Sequence, residues 1–153
     1  MLRHAWLLPF VVLELSACGS APNDLWGSID ESFSLDFDRV DISKQNLDLI
    51  IAYIKVLNGD AGEKMCKVTV QTANLNIQSN SDIAEDVFMK RVTVQRVASV
   101  GGEFPLVTGG HMHFATYEFQ NGGSMEGDFT VLFKTGRTLF GAFRGTVVEI
   151  DTN

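Results

Sequence analysis

The chain has 153 residues, of which 12 are Lys or Arg and 19 are Asp or Glu, so its formal net charge at pH 7 is −7. An acidic surface repels the phosphates of nucleic acids and of anionic membranes, so neither is expected as an electrostatic partner. The length and the hydrophobic content of 45% suffice for one domain with a buried core.

The N-terminus predicts an export signal that is not part of the folded domain. Arg3 supplies a positive charge, and residues 5–13 form an uncharged apolar run. A run of this length is typical of a signal peptide, whereas a membrane-spanning helix needs about 20 apolar residues. Pro9 interrupts the run and disfavours a buried core helix.

A cysteine motif follows the apolar run. Leu15-Ser16-Ala17-Cys18 closely resembles the lipobox of bacterial lipoproteins, in which a large aliphatic residue and two small residues precede the lipidated cysteine. The resemblance implies that diacylglycerol is transferred to the Cys18 thiol, that the chain is cleaved before Cys18, and that the new amino terminus is acylated. Residues 1–17 are then a lipoprotein signal peptide, and the membrane is a partner through the lipid anchor at Cys18.

The residues around this motif bear on the location of the protein. Glu14 departs from the lipoprotein pattern because it puts a charge at the end of the apolar stretch. Gly19 and Ser20 follow the cysteine without an Asp, which resembles the pattern that sorts Gram-negative lipoproteins to the outer membrane. We therefore expect a short tether over residues 18–26 and a single β-domain over residues 27–153. The domain would face the periplasm or the cell surface.

Alternation of apolar and polar residues with a period of two dominates the next part of the chain. Residues 33–38 predict a half-buried strand, and the change of phase at Asp38-Arg39 predicts a bulge. Residues 47–57 are apolar at both odd and even positions and rich in β-branched side chains, which favours a central strand. A helix is the alternative there, because a helical stripe also fits. Residues 58–62 predict a turn.

The middle of the chain predicts further strands with irregular connections. Residues 65–72 alternate, residues 75–77 fit a short strand, and residues 87–97 alternate again. We expect one helical turn over residues 81–86 and a glycine-rich loop over residues 101–110.

The C-terminal part predicts an antiparallel meander of three strands. Its strand patterns cover residues 111–120, 125–133 and 138–150, and the links at 121–123 and 134–136 contain glycine, as short hairpin links do. One face of the last two strands is expected to bury Phe129, Val131, Phe133, Leu139, Phe143 and Val147.

The whole pattern predicts an all-β fold. Short strands joined by turns, without a long helical stripe, indicate an antiparallel β-sandwich or a small β-barrel of about seven to eight strands. The chain has eleven Phe but only two Trp and two Tyr, which favours rings used in a core over a carbohydrate-binding platform.

Cys66 is the only other cysteine in the chain. If Cys18 carries lipid, Cys66 has no disulfide partner. It lies in the alternating run of residues 65–72, so we expect a buried free thiol. No neighbouring His or other base in the sequence would lower its pKa, which disfavours a catalytic role.

His111 and His113 have the spacing of metal ligands on a strand. Residues two apart point to the same side, so both imidazoles could contact one ion. A third ligand is needed, for which Glu103, Glu118 or Asp128 are the candidates. Because two histidines alone do not define a zinc site, two surface histidines at a strand edge are the preferred interpretation.

Two clusters of charged residues offer weaker candidate sites. Asp36 and Asp38 could bind calcium, although a solvated strand face is the preferred interpretation. Lys90, Arg91 and Arg96 could dock an acidic partner or form the exposed face of a strand.

These observations favour a non-enzymatic, lipid-anchored β-domain of the cell envelope that binds an envelope protein or polymer. The sequence shows no nucleophile elbow, phosphate loop or zinc-protease helix, and no cofactor is expected. One alternative is a metal-assisted hydrolase, which requires a cleft where His111 and His113 meet a carboxylate. The other is a small-ligand carrier, which requires a barrel with an apolar hollow. A binding module requires an exposed patch or edge.

Overall fold

The computed structural model describes residues 22–57 and 62–151. Cys18 and the rest of the lipobox motif lie outside the described residues, as do residues 58–61 of the predicted turn. Within the described ranges, the strands are β1 Asp24–Trp26, β2 Arg39–Gln45, β3 Asp48–Lys55, β4 Glu63–Gln71, β5 Ser81–Ile83, β6 Val92–Val97, β7 Val107–Tyr117, β8 Ser124–Phe133 and β9 Thr138–Glu149. A 3-10 helix covers Ser28–Glu31, and the α-helix α1 covers Glu85–Arg91.

All of these strands belong to one continuous sheet that curls into a half-barrel. The order is β5-β7-β8-β9-β2-β3-β4-β6, and β1 also pairs with β9. Among the described strands, only β2 and β9 pair in parallel, over three residues each, Ile42–Lys44 and Val147–Glu149. The structure therefore confirms the all-β prediction. The strand number exceeds the expected seven to eight because β1 and β5, with three residues each, are too short to give a pattern.

The core lies on the inner face of the curl. The six residues that the meander was expected to bury are all at most 1% exposed, which confirms the predicted register of β8 and β9. Phe129 faces Gly141 across the strand pair, and Phe143 faces Gly127. In both pairs the phenyl ring occupies the space that a β-carbon on the glycine would need. The glycines are therefore required by the rings that cover them.

Residues 47–57 form a strand, which decides between the two alternatives left open by the sequence. β3 lies between β2 and β4 inside the sheet. Leu49, Ile51 and Tyr53 belong to the core, and the Tyr53 hydroxyl donates a 2.8 Å hydrogen bond to the Ala142 carbonyl. The apolar residues at even positions lie on the opposite, outer face.

The predicted strand over residues 33–38 is wrong. This segment is irregular, and the phase change assigned to a bulge is instead the start of β2 at Arg39. Burial still alternates, because Leu35 is buried while its two neighbours are exposed. Phe37 packs edge-on against Tyr53, with 5.1 Å between ring centroids. The segment therefore covers the core with alternate side chains, and of its residues only Asp38 at its end forms a backbone-to-backbone hydrogen bond with a described strand, by donating to the Ile54 carbonyl of β3 at 2.8 Å.

The predictions in the middle of the chain are wrong or only partly correct. The strand predicted over residues 75–77 is wrong, because these residues are irregular. Of residues 81–86, assigned to a helical turn, the first three form β5 and only the last two begin α1. The strand predicted over residues 87–97 is correct for β6 and wrong for the residues of α1. Phe88 on α1 is fully buried, and its ring takes the space beside Gly110. Acidic residues in the first turn and basic residues in the last turn suit the helix dipole. Tertiary packing and charge placement thus override a weak alternation.

Two boundaries also differ from the sequence predictions. β7 begins at Val107 and ends at Tyr117, so the loop ends before Gly109-Gly110 and the strand predicted over residues 111–120 is shifted towards the N-terminus. Residues 24–26, assigned to the tether, already pair with β9 as β1.

Candidate functional site

The two predicted metal ligands lie beside a carboxylate that the sequence did not indicate. The Nε2 atom of His111 is 3.3 Å, and the Nδ1 atom of His113 is 3.0 Å, from Oδ1 of Asp82. Asp82 reaches them because β5 pairs with β7, which places Asp82 directly opposite His113. All three side chains are partly or largely exposed on the outer face of the sheet.

The Oδ1 atom of Asp82 forms a hydrogen bond with Nδ1 of His113 and also lies next to Nε2 of His111. Within residues 22–57 and 62–151, no group of three or more His, Cys, Asp or Glu side chains could hold a metal ion. Of the suggested third ligands, Asp128 faces His113 from the adjacent strand β8, while the Glu118 carboxylate accepts a hydrogen bond from the Ser124 backbone. Glu103 belongs to the irregular segment before β7.

Cys66 is a free thiol with no exposed surface, as the sequence predicted. It packs in the core on β4, directly opposite Tyr53 on β3. Burial strongly raises the pKa of the thiol, because an apolar environment disfavours the thiolate. The structure therefore gives Cys66 a packing role.

The acidic pair Asp36 and Asp38 shares one lysine, Lys55. The ammonium of Lys55 is 2.7 Å from the carboxylate of Asp36 and 3.2 Å from that of Asp38. The Asp38 carboxylate also accepts a 2.6 Å hydrogen bond from the backbone N–H of Val56. These hydrogen bonds lower the pKa of Asp38, the one from Val56 most strongly. The arrangement links the irregular segment to β3.

The three basic residues 90, 91 and 96 do not form one patch. Lys90 and Arg91 lie on α1, whereas Arg96 on β6 is only 7% exposed. Two of its guanidinium nitrogens donate to the carbonyls of Ser34 and Val100, at 2.9 Å and 3.4 Å, and the Nε atom has no hydrogen-bond partner. Arg96 thus links two irregular segments, which contain Ser34 and Val100, to the edge strand β6.

An apolar groove lies on the outer face of the sheet. Its volume is about 770 Å³, and we call it the outer groove. The floor consists of three β3 residues that alternate with the core residues. The apolar side is completed by two exposed residues, one near the end of β9 and one directly after it. These five residues are Ile50, Ala52, Ile54, Val148 and Ile150.

Charged side chains border the outer groove on two sides. On β2, Arg39 and Asp41 form an ion pair 3.0 Å long. On β4, Lys64 and Lys67 line the groove, and neither ammonium forms an ion pair with a carboxylate of the described residues. Sequence reasoning missed this site. A strand that is buried on one face only has apolar residues at every second position. Residues 47–57 are apolar at even as well as odd positions, and this pattern could have indicated a second apolar face on the strand.

The inner face of the curl is filled with side chains. Among its largest fully buried members are Tyr53, Phe88, Phe114, Phe129, Phe133 and Phe143. The outer groove, in contrast, is open to solvent. Among the described residues it is the surface that corresponds to the exposed patch expected of a binding module.

In the part of the chain that the structure describes, no helix has the length and hydrophobicity needed to cross a membrane. No protein-family model, no curated protein and no solved structure matches this chain.

Proposed function

We propose that this protein is a lipid-anchored cell-envelope protein whose β-domain acts as a non-enzymatic binding module. The observation that carries the proposal is the outer groove on a domain whose inner face is fully packed. Its apolar surface is exposed mainly at Val148 (57%) and Ile150 (48%), whereas Ala52 and Ile54 of the floor are each only 4% exposed. Exposed apolar surface is costly to keep in a monomer unless a ligand or partner uses it. Because the groove is apolar, its partner would be a component of the cell envelope with an apolar surface of its own.

The anchor follows from the resemblance of residues 15–18 to a lipobox. A single acyl chain binds a membrane weakly, and each buried methylene contributes about 0.8 kcal/mol, so several chains at Cys18 would hold the protein firmly. The sheet begins at Asp24. Six residues span at most about 22 Å, so the groove would work close to the bilayer surface.

The anchor is tested by labelling cells with radioactive palmitate. We expect the wild-type chain to incorporate the label and Cys18→Ser to lose it, because only a thiol can take the diacylglycerol. Cys66→Ala serves as the matched control and should keep the label, since its thiol is buried in the core. Label in the Cys18→Ser chain would contradict the proposal.

A further inference from the structure

We infer that the outer groove binds a single-chain amphiphile with a carboxylate headgroup, such as a fatty acid. The inference deepens the proposed binding function by naming the class of ligand, and it rests on that function. It is carried by the confinement of the charged lining residues, two unpaired lysines among them, to one half of the groove.

The charged lining residues are confined to one half of the groove. Lys64 pairs with Ile54 and Lys67 pairs with Ala52, and Arg39 and Asp41 on β2 pair with the same two floor residues. Towards the other end the lining residues carry no charge: they are the apolar Ile50, Val148 and Ile150 and the polar Ser43 and Gln45.

A β-bulge brings the two lysines together. Residues three apart on a regular strand point to opposite faces. The register of β3 against β4 shifts between Tyr53 and Ile54, so that Lys64 and Lys67 both line the outer groove. Bulges commonly redirect side chains in this way. The result is a pair of positive charges next to an apolar floor.

The surrounding charges leave these ammonium groups available for an anion. Asp41 faces the groove from β2, but Arg39 neutralises it at 3.0 Å. The Glu63 carboxylate accepts hydrogen bonds from Ser99 at the sheet end. The chain is acidic overall, yet charges farther away than about 8 Å are largely screened at physiological ionic strength. A carboxylate next to Lys64 and Lys67 thus experiences a locally positive site.

The dimensions suit one small ligand. Pockets for small molecules occupy roughly 300 to 1,000 Å³, have mostly apolar walls and carry a few polar groups that fix the orientation. The outer groove, at about 770 Å³, falls within that range. From Ile50 to Ile54 a strand rises by about 13 Å. An alkyl chain of medium length can lie along this floor with its carboxylate at the lysine end.

The experiment is a calorimetric titration of the full chain carrying Cys18→Ser with dodecanoate below its micelle concentration. We expect saturable binding of one dodecanoate per chain, and at least tenfold weaker binding by the double variant Lys64→Gln/Lys67→Gln. Lys134→Gln, an exposed lysine in the turn between β8 and β9, is the matched control and should bind like the parent chain. Dodecanol, which lacks the charge, should bind more weakly to the parent.

A second variant tests the apolar end. Val148 is 57% exposed, so Val148→Asp should fold normally, which circular dichroism checks, and it should weaken dodecanoate binding by placing a charge beside the alkyl chain. The inference is overturned if the parent chain does not bind dodecanoate saturably, or if either groove variant binds as the parent does. The titration needs no anchor, so a failed palmitate experiment and a failed titration point to different errors.

Discussion

Single residues decide which chemistry this domain can perform. Cys66 and the histidine pair are its main candidates for reactive groups, and their surroundings differ. The thiol has no exposed surface, and burial raises its pKa strongly. His111 is exposed and His113 is half-buried, and both lie within 3.3 Å of the Asp82 carboxylate. Neither arrangement provides an activated nucleophile next to a base inside a cleft.

The first prediction concerns the reactivity of Cys66. We expect the native protein to react with a thiol reagent such as an aromatic disulfide far more slowly than the urea-unfolded chain. The difference should persist at pH 9, because the raised pKa keeps the group protonated and burial blocks access. Rapid labelling of the folded protein, followed by absorbance, would show that the thiol is accessible.

The second prediction concerns the pH dependence contributed by Asp38. Its pKa in the folded state lies below the ordinary value of 3.8, so the carboxylate contributes stability above pH 3.8 that is lost as the pH falls through the folded-state pKa. We expect Asp38→Asn to unfold at lower urea concentration than the wild type at pH 7, and the difference to shrink as the pH is lowered towards 3. A constant difference would mean that Asp38 acts through packing alone.

Some secondary-structure elements could be predicted from the sequence and others could not. The meander β7-β8-β9 was recognisable because its strands alternate over ten or more residues and are joined by short turns. α1 was missed because it directly precedes the alternating residues of β6, so that residues 87–97 were assigned to one strand although Val87, Phe88 and Met89 do not alternate. The irregular segment over residues 33–38 was assigned to a strand because burial alternates there, although only Asp38 forms a backbone-to-backbone hydrogen bond with a described strand.

The candidate site was only partly predictable for the same reason. The sequence places His111 and His113 on one strand face, but Asp82 reaches them only through the pairing of β5 with β7, about 30 residues apart in the chain. The outer groove depends on the order of β9, β2, β3 and β4 and on a bulge. Long-range pairing of this kind leaves no local pattern.

The third prediction tests the register of β8 and β9. Phe143 is buried, whereas the side chain of Arg144 is 52% exposed and lies on the opposite face. Removing a core phenyl ring typically costs about 3–5 kcal/mol, so Phe143→Ala should unfold at a clearly lower urea concentration. Arg144→Ala should change the midpoint little, because its contact with Glu126 is a surface ion pair. Equal midpoints for the two variants would contradict the register.

At the scale of the whole molecule, the proposed N-terminal anchor is followed by one curled sheet. The inner face of the sheet stabilises the fold, and the outer face carries the groove that we propose as the binding site. β1 starts soon after the proposed lipidated cysteine and pairs with β9, the same strand that ends at the apolar side of the groove. The anchor and the groove would therefore be joined through one strand.

The most direct test of this account is mass spectrometry of the N-terminal peptide of the protein isolated from cell membranes. We predict a peptide that begins at Cys18 and carries a diacylglyceryl group on the sulfur and an acyl group on the amino terminus. A mature chain that begins elsewhere with an unmodified thiol, or a full-length chain that retains Met1 without lipid, would contradict the proposed anchor and the location derived from it.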